Sequence, residues 1–331
     1  MHRFLYLVWA GGFLLAGTVI AQQKEQAMKF GMVMHGGAGT IERSEMTPEN
    51  EKAHRDGIEQ ALKVGYGILQ RGGTSLDAVE AAIRVLEDNP LFNAGKGAVF
   101  THEGTNELDS SIMDGKTLNA GAVAAVKHIR NPISLARLVM EKSPHVMLTG
   151  AGAEAFARKM GISLVDEKYF YTDERWQSLQ KEKAKKSPAP TSEKDRHGTV
   201  GAVALDKAGN LAAGTSTGGT TNKEFGRVGD SPIIGAGTYA DNQTCGVSCT
   251  GDGEYFIRAA VAHTVSDLVQ YKGMPVRQAA ESALANAKKL GGNGGLIALD
   301  KDGNFALPFN TSGMYRGTVD QDGKISVEIY R

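Results

Sequence analysis

Thr199 stands where a hydroxyl could become a nucleophile. It follows Gly198, comes directly after a polar segment, and opens the β-like run Thr199-Val200-Gly201-Ala202-Val203-Ala204-Leu205-Asp206. A threonine hydroxyl is a weak nucleophile until a base takes its proton, and a free N-terminal amine can serve as that base. An α-amine titrates at roughly pH 7.7–8, so near neutrality it is partly unprotonated where a lysine is not. Thr199 gains such an amine only if the Gly198–Thr199 bond breaks. Its own hydroxyl can begin that by attacking the Gly198 carbonyl, giving an ester that water then hydrolyses. A glycine before the bond leaves the carbonyl unshielded and tolerates strained backbone angles. Taken alone, the Gly-Thr pair is better explained by the strand propensity of threonine; the chemistry needs partners.

Other chemistries find less support. There is no Gly-x-Ser-x-Gly elbow and no His-Glu-x-x-His pair. The segment Thr244-Cys245-Gly246-Val247-Ser248-Cys249 reads as extended. Residues four apart in a strand are separated by about 13 Å, whereas a disulfide needs Cα atoms within about 7 Å. Cys245 and Cys249 are therefore expected to be free and buried, and without clustered histidines they do not make a zinc site. Carboxylate pairs for glycoside chemistry stay open, since acids are abundant and pairing is spatial. Charge is balanced, 37 basic against 37 acidic residues. That balance, with no basic tract interleaved with aromatics, argues against nucleic acid as a partner. No strand leads into a Gly-x-Gly-x-x-Gly turn, so a nucleotide fold is not supported.

The elements that must position Thr199 can be read around it. A strand is expected from Lys29 to Met34, running into a glycine loop at His35. Helix-period apolar positions predict helices over Asn50–Gln70, ended by Arg71-Gly72-Gly73, and over Ser75–Leu86, with Thr74 and Ser75 as candidate caps. Leu108–Met113 and Thr117–Val126 flank the hairpin signal Asp114-Gly115. Pro132 opens a helix over Ile133–Lys142, and a shorter helix spans Gly152–Met160. From about Glu174 to Arg196 the chain turns polar and lysine-rich, too poor in apolar surface to offset the entropy of ordering. Beyond it, Thr199–Asp206 turns at Lys207–Asn210 into Leu211–Thr217, and Gly295–Asp300 repeats the design through Lys301–Asn304 into Phe305–Asn310. Glu254–Tyr271 and Val276–Leu290 read as long helices between the two hairpins. Strands and helices are grouped rather than alternating, which points to an antiparallel α+β layered domain. Residues 1–21 carry a basic start, an apolar stretch and small residues before Gln22, the pattern of a secretory signal peptide rather than an anchor. The protein is then expected to be secreted, to a periplasm, with no membrane association once the signal is removed.

Several motifs together resemble one family. They are His35-Gly36-Gly37-Ala38-Gly39, Pro90-Leu91-Phe92-Asn93-Ala94-Gly95, Glu107-Leu108-Asp109, Met113-Asp114-Gly115 and Gly198-Thr199-Val200-Gly201-Ala202-Val203. They continue with Thr215-Ser216-Thr217-Gly218-Gly219, Gly226-Arg227-Val228-Gly229-Asp230-Ser231-Pro232, Ser248-Cys249-Thr250-Gly251 and Pro308-Phe309-Asn310. In this order, over nearly all of the chain from about residue 29, they resemble the plant-type asparaginases, also called isoaspartyl peptidases, of the N-terminal nucleophile hydrolases.

The resemblance implies an αββα sandwich, two packed and mostly antiparallel sheets flanked by helices. It implies self-cleavage into an α subunit, residues 22–198 with a flexible polar tail over about 174–198, and a β subunit, residues 199–331. The two would form one globular domain and pair as a dimer of αβ units. Thr199 then matches the nucleophile, Thr217 its hydroxyl partner, and Thr250 and Gly251 the oxyanion donors. Arg227 matches the grip on a substrate α-carboxylate and Asp230 the partner of the α-amine, with Val228, Gly229 and Gly253 completing the pocket. Asn93 matches a residue near the nucleophile. Catalysis would need no metal or cofactor, and a structural Na+ would be held by backbone carbonyls in the loop Leu86–Lys96. The substrate would be small, asparagine or a β-aspartyl dipeptide. His197, Asp252 and Lys96 occupy variable places: His197 reads as a tail residue, Asp252 brings charge beside the oxyanion donors, and Lys96 competes with the ion. Two alternatives differ from this reading. A glycosylasparaginase would carry His-Asp-Thr at the cut, where this chain has His-Gly-Thr. A secreted binding module with a decayed site would not need Thr199, Thr217, Arg227, Asp230 and Thr250 together.

Overall fold

The computed structural model describes Met1, residues 29–185 and residues 198–331. The signal-peptide expectation beyond Met1, and His197, lie outside the described residues.

The central strands are buried on both faces, and alternate side chains along them enter different cores. The large sheet contains β1 (Gly31–Gly39), β2 (Leu108–Asp114), β3 (Ala120–Val126), β4 (Met147–Thr149), β5 (Val200–Leu205), β6 (Leu211–Thr217), β11 (Gly313–Val319) and β12 (Ile325–Tyr330). Its order is β12-β11-β1-β5-β6-β2-β3-β4, antiparallel except for the β3–β4 pair. The small sheet holds β7 (Thr238–Ala240), β8 (Cys245–Gly251), β9 (Gly294–Asp300) and β10 (Phe305–Ala306), in the order β10-β9-β8-β7. Met32 and Met34 of β1 and Val200, Ala202 and Ala204 of β5 face one core, shared with α1 (Pro48–Gln70), α2 (Ser75–Glu87) and α3 (Pro132–Lys142). Alternate residues, Val33 of β1 and Val203 and Leu205 of β5, face Ile297 and Leu299 of β9 across the space between the sheets. On the far side, Cys245, Val247 and Cys249 of β8 pack against α6 (Gly253–Ala259), α7 (Val261–Lys272) and α8 (Val276–Lys289). Helices, sheet, sheet, helices: the fold is the αββα sandwich that the resemblance implied. Both cysteines are free and buried as expected, and burial pushes the Cys245 thiol up to about 12.

Local signals placed most helices within a residue or two. Thr47 and Thr74 cap α1 and α2 by accepting from Asn50 N and Asp77 N. Four expectations are corrected. The glycine loop at His35 is strand: β1 runs on to Gly39, because β5 and β11 pair with it on both sides, and a register shift between His35 and Gly37 absorbs the glycines. The helix expected over Glu254–Tyr271 breaks at Ala260, whose φ of 44° is left-handed. The first N–H groups beyond the break go elsewhere, Ala262 N to Ala236 O and His263 N to Gly235 O. The return strand after Asn304 is only two residues long, since Pro308 cannot donate to a ladder. The tail expected from about residue 174 instead opens as α5 (Asp173–Lys183), which follows α4 (Gly150–Lys159) and is capped by Thr172. Its few anchors suffice. Leu179 is buried, Trp176 meets the Phe100 ring edge-on at 5.2 Å, and Arg175 donates to Leu91 O and Gly97 O. Strands β4, β11 and β12 carried no signal that the sequence reading used. Among the described residues no helix is long and apolar enough to cross a membrane.

Candidate active site

Thr199 lies one residue before β5, an interior strand of the large sheet between β1 and β6. Gly198 has φ +96°, a conformation an L side chain rarely adopts, and a Cβ on Gly37 would lie 2.1 Å from Gly198 Cα. Both positions must be glycine for β1 to pass the bond before Thr199 this closely. Thr199 Oγ1 donates to Thr217 Oγ1 at 3.1 Å, and Gly219 N donates to the same oxygen at 3.0 Å. Thr217 ends β6, the strand next to β5, so adjacent strands set this pair. Asn93 braces the turn that follows. Its Nδ2 donates to Gly219 O at 2.7 Å, its Oδ1 accepts from Val99 N at 3.0 Å, and its carbonyl accepts from Gly218 N at 3.1 Å. Asn93, expected near the nucleophile, thus holds the loop behind Thr217.

The small sheet brings Thr250 and Gly251. Thr250 Oγ1 accepts from Ala38 N at 3.2 Å, so β1 touches both halves of the site. Gly251 has φ +150°, and a Cβ there would lie 2.4 Å from Asn293 O. Asp252 Oδ2 accepts from Asn293 N at 2.9 Å, which fastens the loop just past Gly251.

Arg227 and Asp230 are not a surface ion pair. Asp230 is buried, and its Oδ2 has no hydrogen-bond partner among the described residues. Burial pushes its carboxyl up to about 7, opposed by the Arg227 guanidinium. A buried carboxyl oxygen without a donor is unusual in a folded chain. Arg227 donates to Glu254 through Nε at 2.9 Å and Nη2 at 3.0 Å, a two-point fork that aims the guanidinium. A Cβ on Gly253 would sit 2.9 Å from Asp230 Oδ1 and 3.0 Å from Arg227 Nη2, and one on Gly229 would sit 3.0 Å from Arg227 Nη1. The two glycines therefore keep the space between the guanidinium and the carboxyl clear of side chains. Val228 is half-buried in the same segment. A cleft of about 210 Å³ reaches Gly198 and Asn93 from the side of Gly36, His54 and Arg175.

A family model described as asparaginase matches residues 28–329. The chain belongs to the asparaginase family. It is 52% identical over 292 residues to the isoaspartyl peptidase of Escherichia coli K12, covering 86% of this chain and 91% of that one. It is 47% identical over 299 residues to the isoaspartyl peptidase/L-asparaginase of Mus musculus, covering 90% of each. It is 46% identical over 296 residues to the human protein of the same name, covering 89% of this chain and 94% of that one.

Within this family fold, the sequence reading missed three contributors. Glu254 aims Arg227, Arg175 holds the loop ahead of Asn93, and His35 binds the Thr199 carbonyl. Glu254 follows the Thr250–Gly253 motif directly, which was a usable signal. Arg175 lay in a stretch read as tail, and His35 was one letter of a motif read for its glycines.

Proposed function

We propose that this protein is an autoprocessing threonine hydrolase that cleaves β-aspartyl (isoaspartyl) dipeptides and L-asparagine to release L-aspartate. The observation that carries the reading is the pairing of Thr199 Oγ1 with Thr217 Oγ1 behind a strained glycine at a strand start. In the precursor the Thr199 hydroxyl attacks the Gly198 carbonyl, the C–N bond breaks, and water hydrolyses the resulting ester. The freed α-amine of Thr199 then takes the hydroxyl proton as the hydroxyl attacks the β-carbonyl of the substrate. Thr250 and Gly251 stabilise the oxyanion, a contribution worth about 3–4 kcal/mol where such donors are preorganised. The amine leaves with a proton returned from the α-ammonium, and water releases aspartate from the acyl-enzyme. Arg227 holds the substrate α-carboxylate and Asp230 its α-ammonium, which selects an aspartyl group joined through its side chain. Val228, Gly229 and Gly253 give that group its room.

On this reading residues 22–198 form an α subunit and residues 199–331 a β subunit, paired further as a dimer of αβ units in a periplasm. Catalysis needs no cofactor. A structural Na+ at the backbone carbonyls of the Leu86–Lys96 loop is compatible with it, although Arg175 already donates to the carbonyl of Leu91 in that loop.

Intact-mass spectrometry of the wild type and Thr199→Ala tests the reading, with aspartate release from L-asparagine and a β-aspartyl dipeptide assayed on both. Two wild-type fragments, the second starting at Thr199, beside an uncut and inactive variant are expected. An uncut wild type, or activity surviving in the variant, would overturn it.

A further inference from the structure

Between the sheets the apolar packing gives way to a line of polar side chains that starts at the nucleophile. His35 lies fully buried on β1, opposite Gly201 of β5. Its Nδ1 is 3.0 Å from the carbonyl oxygen of Thr199, and its Nε2 is 2.9 Å from Ser248 Oγ. Ser248 Oγ is 2.7 Å from Thr215 Oγ1, which is 2.5 Å from Thr238 Oγ1. Thr238 Oγ1 is 2.8 Å from Ser111 Oγ, and Ser111 reaches the carbonyl of Ser231 at 2.6 Å. The line therefore joins Thr199 to the residue after Asp230.

Proton counting gives this line a direction. A carbonyl only accepts, so Nδ1 carries the hydrogen that faces Thr199. Burial pushes His35 down to about 3, so the ring is neutral and Nε2 is a bare acceptor. Ser248 must then donate to Nε2. Ser248 has then spent its one proton, so it accepts from Thr215 Oγ1, a hydroxyl that also lies 3.1 Å from the carbonyl of Gly237. The carbonyl of Thr199 on one side and the hydroxyl of Ser248 on the other fix both the tautomer and the orientation of the ring.

Two further features fit a positioning role. A Cβ on Gly201 would lie 1.9 Å from Ser248 Oγ and 2.5 Å from His35 Nε2, so a mid-strand glycine is what makes room for the contact. The β5 ladder begins at Val200, one residue after Thr199. Once the bond to Gly198 is cut, Thr199 is a chain end outside the ladder, and the His35 bond to its carbonyl remains to hold it.

We propose that His35 is the positioning residue of this site: its Nδ1–H holds the carbonyl of Thr199 so that the threonine hydroxyl stays on Thr217. The proposal rests on Thr199 being the nucleophile. An asparagine at position 35 can set an amide N–H near the place of Nδ1, whereas a glutamine reaches instead toward the place of Nε2 and Ser248. His35→Asn, His35→Gln and His35→Leu are compared by mass spectrometry for cutting, and by kcat and KM per mole of cut protein on L-asparagine. His35→Asn should keep kcat within about threefold. His35→Gln and His35→Leu should cut slowly and lose about 10²-fold in kcat, the scale of a misplacement near 1 Å. KM should stay within about twofold in all three, because His35 does not touch the substrate. Equal losses in the Asn and Gln variants, in cutting or in turnover, would overturn the proposal, and so would wild-type kcat in His35→Leu. Activity surviving in Thr199→Ala would overturn the nucleophile reading itself, which separates the two failures.

Discussion

Asp230 and Thr217 show how burial assigns work to single residues. Asp230 is ionised above about pH 7 and neutral below, since burial has raised its carboxyl to that point. If its charge binds a substrate ammonium, affinity is present above that value and falls as pH drops through it. KM for L-asparagine should therefore rise several-fold between pH 8 and pH 6 in the wild type. In Asp230→Asn it should be high and flat, and a KM profile unmoved by the substitution would remove Asp230 from substrate binding. Thr217 accepts both from Thr199 Oγ1 and from Gly219 N. Thr217→Val keeps the shape and deletes the acceptor. It should lower kcat by about 10²-fold, in the range seen when a proton-handling partner is lost, with KM nearly unchanged, and Thr217→Ser should restore most of the rate. The direction of the Arg227 guanidinium is set by Glu254, which accepts from its Nε and Nη2.

At the scale of elements, β1 carries more of the site than its few polar letters suggest. Between His35 and Ala38 it contacts Thr199, passes Gly198 and donates to Thr250. Gly37→Ala would put a Cβ 2.1 Å from Gly198 Cα, so one of the two segments must move. Self-cutting should slow by at least about 10²-fold, on the scale of such a displacement, while far-UV circular dichroism stays that of the wild type. A time course of precursor mass measures it; normal cutting would mean that β1 does not shape the bond. Sequence periodicity found α1, α2, α3 and α8 because each has a buried face at helix spacing and a start signal nearby. It missed the break at Ala260, since alanine favours helix and only the carbonyls of Gly235 and Ala236 draw the next N–H groups away. It also missed that α5 docks, because one leucine, one tryptophan and one arginine supply the attachment that average composition denied.

For the whole molecule, Glu87 ties distant parts of the large layer together and makes its stability depend on pH. It is fully buried at the end of α2, and its Oε1 accepts from Ser216 Oγ of β6 at 2.7 Å and from Ile133 N of α3 at 3.0 Å. Burial pushes its carboxyl up to about 8. The unfolded chain loses this proton near the ordinary carboxylate value and the folded chain keeps it until about pH 8. Stability from this group is thus complete at low pH and declines as pH rises through that window, by on the order of a few kcal/mol. Denaturant unfolding at pH 5 and pH 8.5 should show the decline in the wild type and a smaller one in Glu87→Gln. A Glu87→Gln protein with the wild-type slope would assign the pH dependence to other groups. The amino-acid sequence by itself determined the layered grouping of strands and helices, the two unpaired buried cysteines, and the hairpin that brings Thr199 to Thr217. Each of these is a local pattern, a matter of which face is apolar or which turn follows. Only the tertiary structure decided that His35 reaches Thr199 and Ser248, that Glu254 holds Arg227, and that Arg175 holds the loop before Asn93. These contacts span long stretches of chain. The buried polar atoms in them find partners through sheet order and packing, which no local spacing encodes.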